Sequence, residues 1–222
     1  EKIIISGCGT AYLAGIIGKL MIEELAGIPC EAELASELRY RPNTNYRQNL
    51  AMVAISQSGE TADTLAALRR FKERSFLTIG IVNVVGSTIA RETDAGVYNH
   101  IGPEIGVAST KAFISQVTIL ALLALFLRQK SNLRVIKEIE KLPMMIKQVL
   151  GQKNKVKLIA KKYKNYNNFL YIERKYNFPT ALEGALKLKE ISYIHAEGYG
   201  AGEMKHGPIA MIDENFPTVA IA

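Results

Sequence analysis

The chain has no tryptophan, two cysteines and three histidines in 222 residues. Cys8 and Cys30 are too few for a disulfide framework, and no Cys/His spacing suggests zinc, so no metal is expected. No apolar run approaches the roughly 20 residues that a membrane helix needs. The greasiest stretch, 117–127, reads as a buried helix. No Gly-x-x-x-x-Gly-Lys is present and no Gly-x-Gly-x-x-Gly follows a strand, which argues against a nucleotide and leaves no cofactor indicated. Residue 1 opens straight into a strand-like run, without a basic leader or a cleavage site. The opening Glu1-Lys2-Ile3-Ile4-Ile5 lacks methionine and reads as a boundary within a longer protein. Two thiols suit a reducing compartment, so a cytoplasmic location is expected.

Apolar residues make up 48% of the chain and charged residues 22%, as in ordinary soluble globular proteins. Lysine and arginine number 28 against 21 carboxylates, a formal charge of +7. Much of the excess lies in 128–164, which reads as solvated helix faces. Aromatic interleaving and nucleic-acid motifs are absent there, so attraction of a small anionic substrate is the better use of this charge.

Short apolar runs alternate with helical periodicity. Ile3–Ser6 is followed by Leu13, Ile16, Ile17, Leu20 and Met21 at helical spacing. Leu50–Ile55 precedes a helix with Leu65, Leu68 and Phe71. Leu77–Val85 and a weaker run, Ala95–Tyr98, follow, and a long helix begins near Ser109. Near-continuous apolar strands alternating with helices predict an α/β fold: a parallel sheet between two helical layers, with right-handed crossovers. Residues 131–164 read as a helical, basic connector. A strand at Phe169–Ile172 and a helix from Thr180 to about Tyr193 restart the pattern. With an offset of 166, Ile3–Ile5 lies over Phe169–Tyr171 and Glu37–Arg39 over Glu203–Lys205, which suggests duplication. The reading sets a first domain at 1–150 and a second, incomplete one at 151–222.

Ser56-Gln57-Ser58-Gly59-Glu60-Thr61 lies where a strand gives way to a helix. A helix N-terminus offers unpaired N–H groups and the positive end of a dipole. Ser and Thr add hydroxyls, and glycine lets an anion come close. Helix capping by Ser58 or Thr61 is the plainer alternative. Four hydroxyl or amide side chains in six residues, at the strand edge where open α/β sheets bind ligands, favour a sugar-phosphate cradle. Cys8-Gly9-Thr10 and Val107-Ala108-Ser109-Thr110 are expected at the same edge.

Glu183, Lys187 and Glu190 share one helix face at i, i+4 and i+7. A surface ion-pair ladder would also explain them. Ketose–aldose interconversion needs a carboxylate to move a proton between C1 and C2, a histidine to assist ring opening, and a cation beside the enediolate. Glu190, His206 and Lys187 are of those types, although spacing alone does not choose them over Glu197, Glu203 or His195.

These segments, together with Glu104–Phe113, Ala181–Glu197 and Glu203–Pro208, resemble the isomerising glutamine–fructose-6-phosphate aminotransferases, which make glucosamine 6-phosphate. The similarity runs over almost the whole chain. It implies two sugar isomerase (SIS) domains, each a five-stranded parallel sheet between helices. It implies that Ser56, Gln57, Ser58 and Thr61 hold the phosphate of fructose 6-phosphate, and that Thr10, Val107 and Ser109 contact the sugar. It also implies that Glu190 shuttles the proton beside Lys187, and that His206 opens the ring from a neighbouring subunit of a homodimer. The family's glutaminase domain would precede this segment, and a tail with a further active-site lysine would follow it. Ala11 stands where the family has serine, and Glu173-Arg174-Lys175 where it has Gly-Arg-Gly. The competing expectation is a non-catalytic SIS module that senses a phosphosugar. Such a module would use the cradle but not Glu190 or His206.

Overall fold

The computed structural model describes residues 2–41, 49–128 and 132–221. Glu1 of the opening segment, 129–131 of the basic stretch and Ala222 of the second domain lie outside the described residues, as do 42–48. The chain divides into two compact units, Glu1–Gln129 and Lys130–Ala222.

In the first unit the order is β1 (Lys2–Gly7), α1 (Thr10–Met21) with a π-helical extension (Ile22–Ala26), β2 (Cys30–Leu34), α2 (Ala35–Leu38), β3 (Leu50–Ser56), α3 (Ala62–Lys72), β4 (Leu77–Val82), α4 (Thr88–Glu92), β5 (Ala95–Tyr98) and α5 (Lys111–Leu127). The five strands form one parallel sheet, ordered β2-β1-β3-β4-β5. The apolar runs read from the sequence are β1, β3, β4 and β5. The sequence reading missed β2: Cys30-Glu31-Ala32-Glu33-Leu34 alternates charged with apolar residues because it lies at the sheet edge, where one side of the strand is unpaired.

Central strands are apolar on both sides because both faces are covered. On one face Ile4, Met52 and Ala54 pack with Leu68 and Phe71 of α3 and Ile89 of α4. On the other, Ile3, Ile5, Val53 and Ile55 pack with Ala14 of α1 and with Leu120 and Ala124 of α5. Alternate residues of β1 and β3 therefore serve opposite layers. Each fully buried Ile or Leu contributes about 1.5–3 kcal/mol by leaving water.

The second unit contains α6 (Leu133–Glu140), α7 (Leu142–Gly151), α8 (Lys153–Tyr163), β6 (Asn168–Glu173), α9 (Asn177–Ser192), β7 (His195–Gly200), two short 3₁₀ turns (Glu203–His206 and Pro208–Met211) and β8 (Thr218–Ala220). Its parallel sheet is ordered β7-β6-β8. That order repeats β2-β1-β3. Adding 166 to the bounds of β1 gives those of β6, and the same shift carries β2 onto 196–200 within β7. β7 was also missed from sequence. It too is an edge strand, and His195, Glu197 and Tyr199 interrupt any apolar run.

α1 and α5 approach closely at Gly18, where a Cβ would lie 2.8 Å from Leu120 Cδ1. A Gly18→Val substitution would force these helices apart. It is expected to cost about 1–3 kcal/mol, read as a lower urea midpoint at an unchanged slope.

Candidate functional site

In the order β2-β1-β3, the connections from β1 and from β3 leave towards opposite sides of the sheet. Such a switch point opens a crevice at the C-terminal ends of the two strands. A cavity of about 230 Å³ lies there, lined by Cys8, Thr10 and Ala11 after β1, by Ser56, Gln57, Ser58 and Thr61 after β3, and by Ser109 and Gln116. The volume is just under the roughly 300–1,000 Å³ of drug-sized ligand pockets, which suits a small polar ligand. Six of the seven residues expected to bind substrate meet at this cavity. Val107 does not line it and is 93% exposed. Cys30 is a core residue, its thiol pushed up to about 12 by burial and by Glu23. Cys8 is only half-buried and lines the cavity.

The turn from β3 to α3 is organised by its own hydroxyls. Ser56 Oγ accepts from Gly59 N at 3.0 Å and lies 2.8 Å from Thr61 Oγ1. Ser58 Oγ accepts from Glu60 N at 3.2 Å. Gly59 has φ +67°, and a Cβ there would fall 2.0 Å from Ser87 Oγ. Only glycine fits both the backbone angle and the space. No side chain caps the start of α3, so the capping role considered for Ser58 and Thr61 is not what these hydroxyls do.

Besides the single turn of α2, helices α1, α3, α4 and α5 follow the C-terminal ends of strands, and they differ in what meets their N-termini. α4 receives the Glu60 carboxylate, which accepts from Thr88 N at 2.7 Å. α5 receives Glu104, whose Oε1 accepts from Thr110 N and Ala112 N, each at 2.9 Å. Among the described residues, neither Gly9 nor Thr61, the N-cap residues of α1 and α3, caps its helix with a side chain, and both helices begin at the cavity. The positive ends of these two dipoles lie at the cavity, a favourable place for an anion.

The carboxylates of the β3–α3 segment do not oppose that use. The Thr88 amide and hydroxyl draw Glu60 to α4 and hold its carboxyl below the ordinary range. Asp63 pairs with Arg39 at 2.6 Å. Among the described residues, no lysine or arginine lines the cavity. Its described lining is uncharged, and helix dipoles make it electropositive.

In the second unit, α9 presents Glu183, Lys187 and Glu190 on one face. Lys187 Nζ lies 3.3 Å from Glu183 and 2.5 Å from Glu190, the latter an ion contact too poorly aligned to count as a hydrogen bond. The Glu183 side chain is 7% exposed and that of Lys187 17%, which rules out a solvated ladder. A cation held among two carboxylates at low exposure fixes their orientation. His206, at the end of a 3₁₀ turn, is exposed and has no ion pair or side-chain hydrogen bond among the described residues. His195, Glu197 and Tyr199 form a separate line on β7. There Tyr199 donates to Glu197 at 2.8 Å and His195 lies 3.6 Å from it. Among the described residues there is no cluster that would hold a metal ion and no helix long and apolar enough to cross a membrane.

The SIS domain family model matches residues 1–126 and 163–222. The chain belongs to the SIS domain family. The glutamine–fructose-6-phosphate aminotransferase (isomerising) of Chlorobaculum tepidum is 55% identical over the whole chain, and that of Aquifex aeolicus 53%. The chain spans 37% of the length of each. Among solved structures, the C-terminal domain of glucosamine-fructose-6-phosphate aminotransferase from Francisella tularensis superposes with a TM-score of 0.94 at 41% identity, over 99% of this chain and 63% of that one. The resemblance read from the motifs thus holds along the entire SIS sequence.

Two outcomes follow from the cradle's construction. Gly59→Ala should lose about 1–3 kcal/mol of stability through backbone strain, seen in urea unfolding. Burial opposes ionisation of Glu104, but the Ala112 and Thr110 amides and Lys111 outweigh it and hold the carboxyl below its ordinary 4.5. A depressed carboxyl stabilises the fold above its unfolded value and ceases to do so as pH falls through the folded one. Wild type should therefore lose more stability than Glu104→Gln between about pH 6 and pH 3, as melting temperatures across that range would show.

Proposed function

We propose that this chain is the isomerase part of a glucosamine-6-phosphate synthase, and that the cavity at β1 and β3 binds the phosphate of fructose 6-phosphate. In the intact protein, a glutaminase domain would release ammonia from glutamine. Transfer to fructose 6-phosphate and isomerisation would then give glucosamine 6-phosphate, an amino sugar. The observation that carries the reading is a hydroxyl-lined cavity at the starts of α1 and α3, while the N-termini of α4 and α5 are filled by Glu60 and Glu104.

Ser56, Gln57, Ser58 and Thr61 hold the phosphate. Thr10, Val107 and Ser109 contact the sugar. Ketose-to-aldose conversion removes a proton from C1, moves an electron pair towards C2 through an enediolate-type intermediate, and returns the proton to C2. Glu190 carries that proton. Lys187 orients Glu190 and stabilises the negative charge that develops. His206 exchanges a proton with the ring oxygen during opening, and the neighbouring subunit of a homodimer provides it. The two free thiols accord with a cytoplasmic site of action.

Fructose 6-phosphate should raise the melting temperature, and a polynucleotide should leave it unchanged. Glu190→Gln should abolish isomerisation by the intact enzyme while sugar-phosphate binding stays within about twofold of wild type. Full turnover by that variant would remove Glu190 from the proton path, whereas sugar-phosphate binding without any turnover by the wild-type intact protein would favour the sensor reading. Sedimentation of a monomer at all concentrations would contradict the shared histidine.

A further inference from the structure

Gln116 was not among the residues singled out from the sequence. On α5 the buried residues are Ala112, Gln116, Leu120 and Ala124, one every fourth position, and Gln116 is the polar member of that stripe. It is 1% exposed, and its Oε1 has no hydrogen-bond partner among the described residues. An unsatisfied buried acceptor costs roughly 1–3 kcal/mol, so an apolar residue would suit this stripe better if packing were its whole purpose. Gln116 also lines the cavity that holds Thr10, Ser56, Ser58 and Thr61.

We propose that Gln116 is a substrate-recognition residue whose carboxamide hydrogen-bonds a hydroxyl of the sugar chain, and that it selects a phosphorylated polyol over free phosphate. The inference rests on the sugar-phosphate reading of the cavity and extends it. An acceptor needs a donor. The ester phosphate of a sugar phosphate, once fully ionised, has acceptor oxygens only and cannot satisfy Oε1, and inorganic phosphate lacks the carbon chain that would carry a hydroxyl to it, whereas a sugar hydroxyl donates and accepts. A hydroxyl therefore meets the carboxamide in either of its two flipped orientations. The division of labour follows from position. Helix N-termini and serine hydroxyls take the charged end, and the α5 carboxamide takes the uncharged part. A site built around such a hydrogen bond discriminates strongly against a ligand that lacks it, because the protein group is then left unpaired.

The test is thermal-shift or calorimetric titration of wild type and Gln116→Met, which is similar in length and apolar, with fructose 6-phosphate and with inorganic phosphate. The variant should bind fructose 6-phosphate about tenfold more weakly, with inorganic phosphate affinity changed less than twofold. Equal affinity of both proteins for fructose 6-phosphate would overturn the proposal. So would a parallel loss for both ligands, which would indicate a role in shaping the phosphate seat. Should Gln116→Met not fold, NMR of wild type decides. The Gln116 side-chain amide signals should shift with fructose 6-phosphate and stay in place with saturating phosphate, and identical behaviour with the two would refute the idea. Failure of wild type to bind either ligand would instead refute the sugar-phosphate reading of the cavity.

Discussion

The first unit depends on how the N–H groups at its helix starts are satisfied. A parallel sheet flanked by helices gathers several positive dipole ends at one edge, and each must find an acceptor. Here Glu60 and Glu104 fill two of them from within the chain. The choice of where those carboxylates go defines the site. Glu60 belongs to the very segment that forms the cradle, yet its side chain serves the adjacent helix α4. Asp63, one residue into α3, is neutralised by Arg39. Among the described residues, the cavity at the starts of α1 and α3 is left without a carboxylate and without a cation in its lining.

Much of this was legible in the sequence because it is written in local patterns. Strands β1, β3 and β4 are apolar runs, since they are covered on both faces. The Ser56–Thr61 segment announces itself by four polar side chains and a glycine in a turn. What could not be read depends on non-local packing. Edge strands β2 and β7 have one unpaired side and accept charges, so their composition looks like loop. Gln116 lies in a helix whose other buried positions are alanine and leucine, and no spacing rule separates its amide from a surface glutamine. Glu183 and Lys187 read as an ordinary i, i+4 pair. Only their burial distinguishes them from a solvated one.

The two units share a plan and differ in how they use it. Strands β6, β7 and β8 repeat the arrangement of β1, β2 and β3 at a nearly constant offset. Where the first copy has Gly7-Cys8-Gly9-Thr10 leading into α1 at the cavity, the second has Glu173-Arg174-Lys175-Tyr176 leading into α9. The loop that is small and neutral in one copy is bulky and charged in the other. In the second unit the ionisable groups sit on the helix face instead, at Glu183, Lys187 and Glu190. One architecture thus carries a hydroxyl-lined cavity in one copy and a largely buried cluster of ionisable side chains in the other.

Among the described residues, the cavity in the first unit is lined by hydroxyls and amides with a single half-buried thiol, and by no carboxylate, lysine, arginine or histidine. On the proposed reading, occupancy should then follow the ionisation of the sugar phosphate, whose second proton leaves near pH 6. Such a ligand would act as its own titrant, inside a wall that carries no fixed charge of its own.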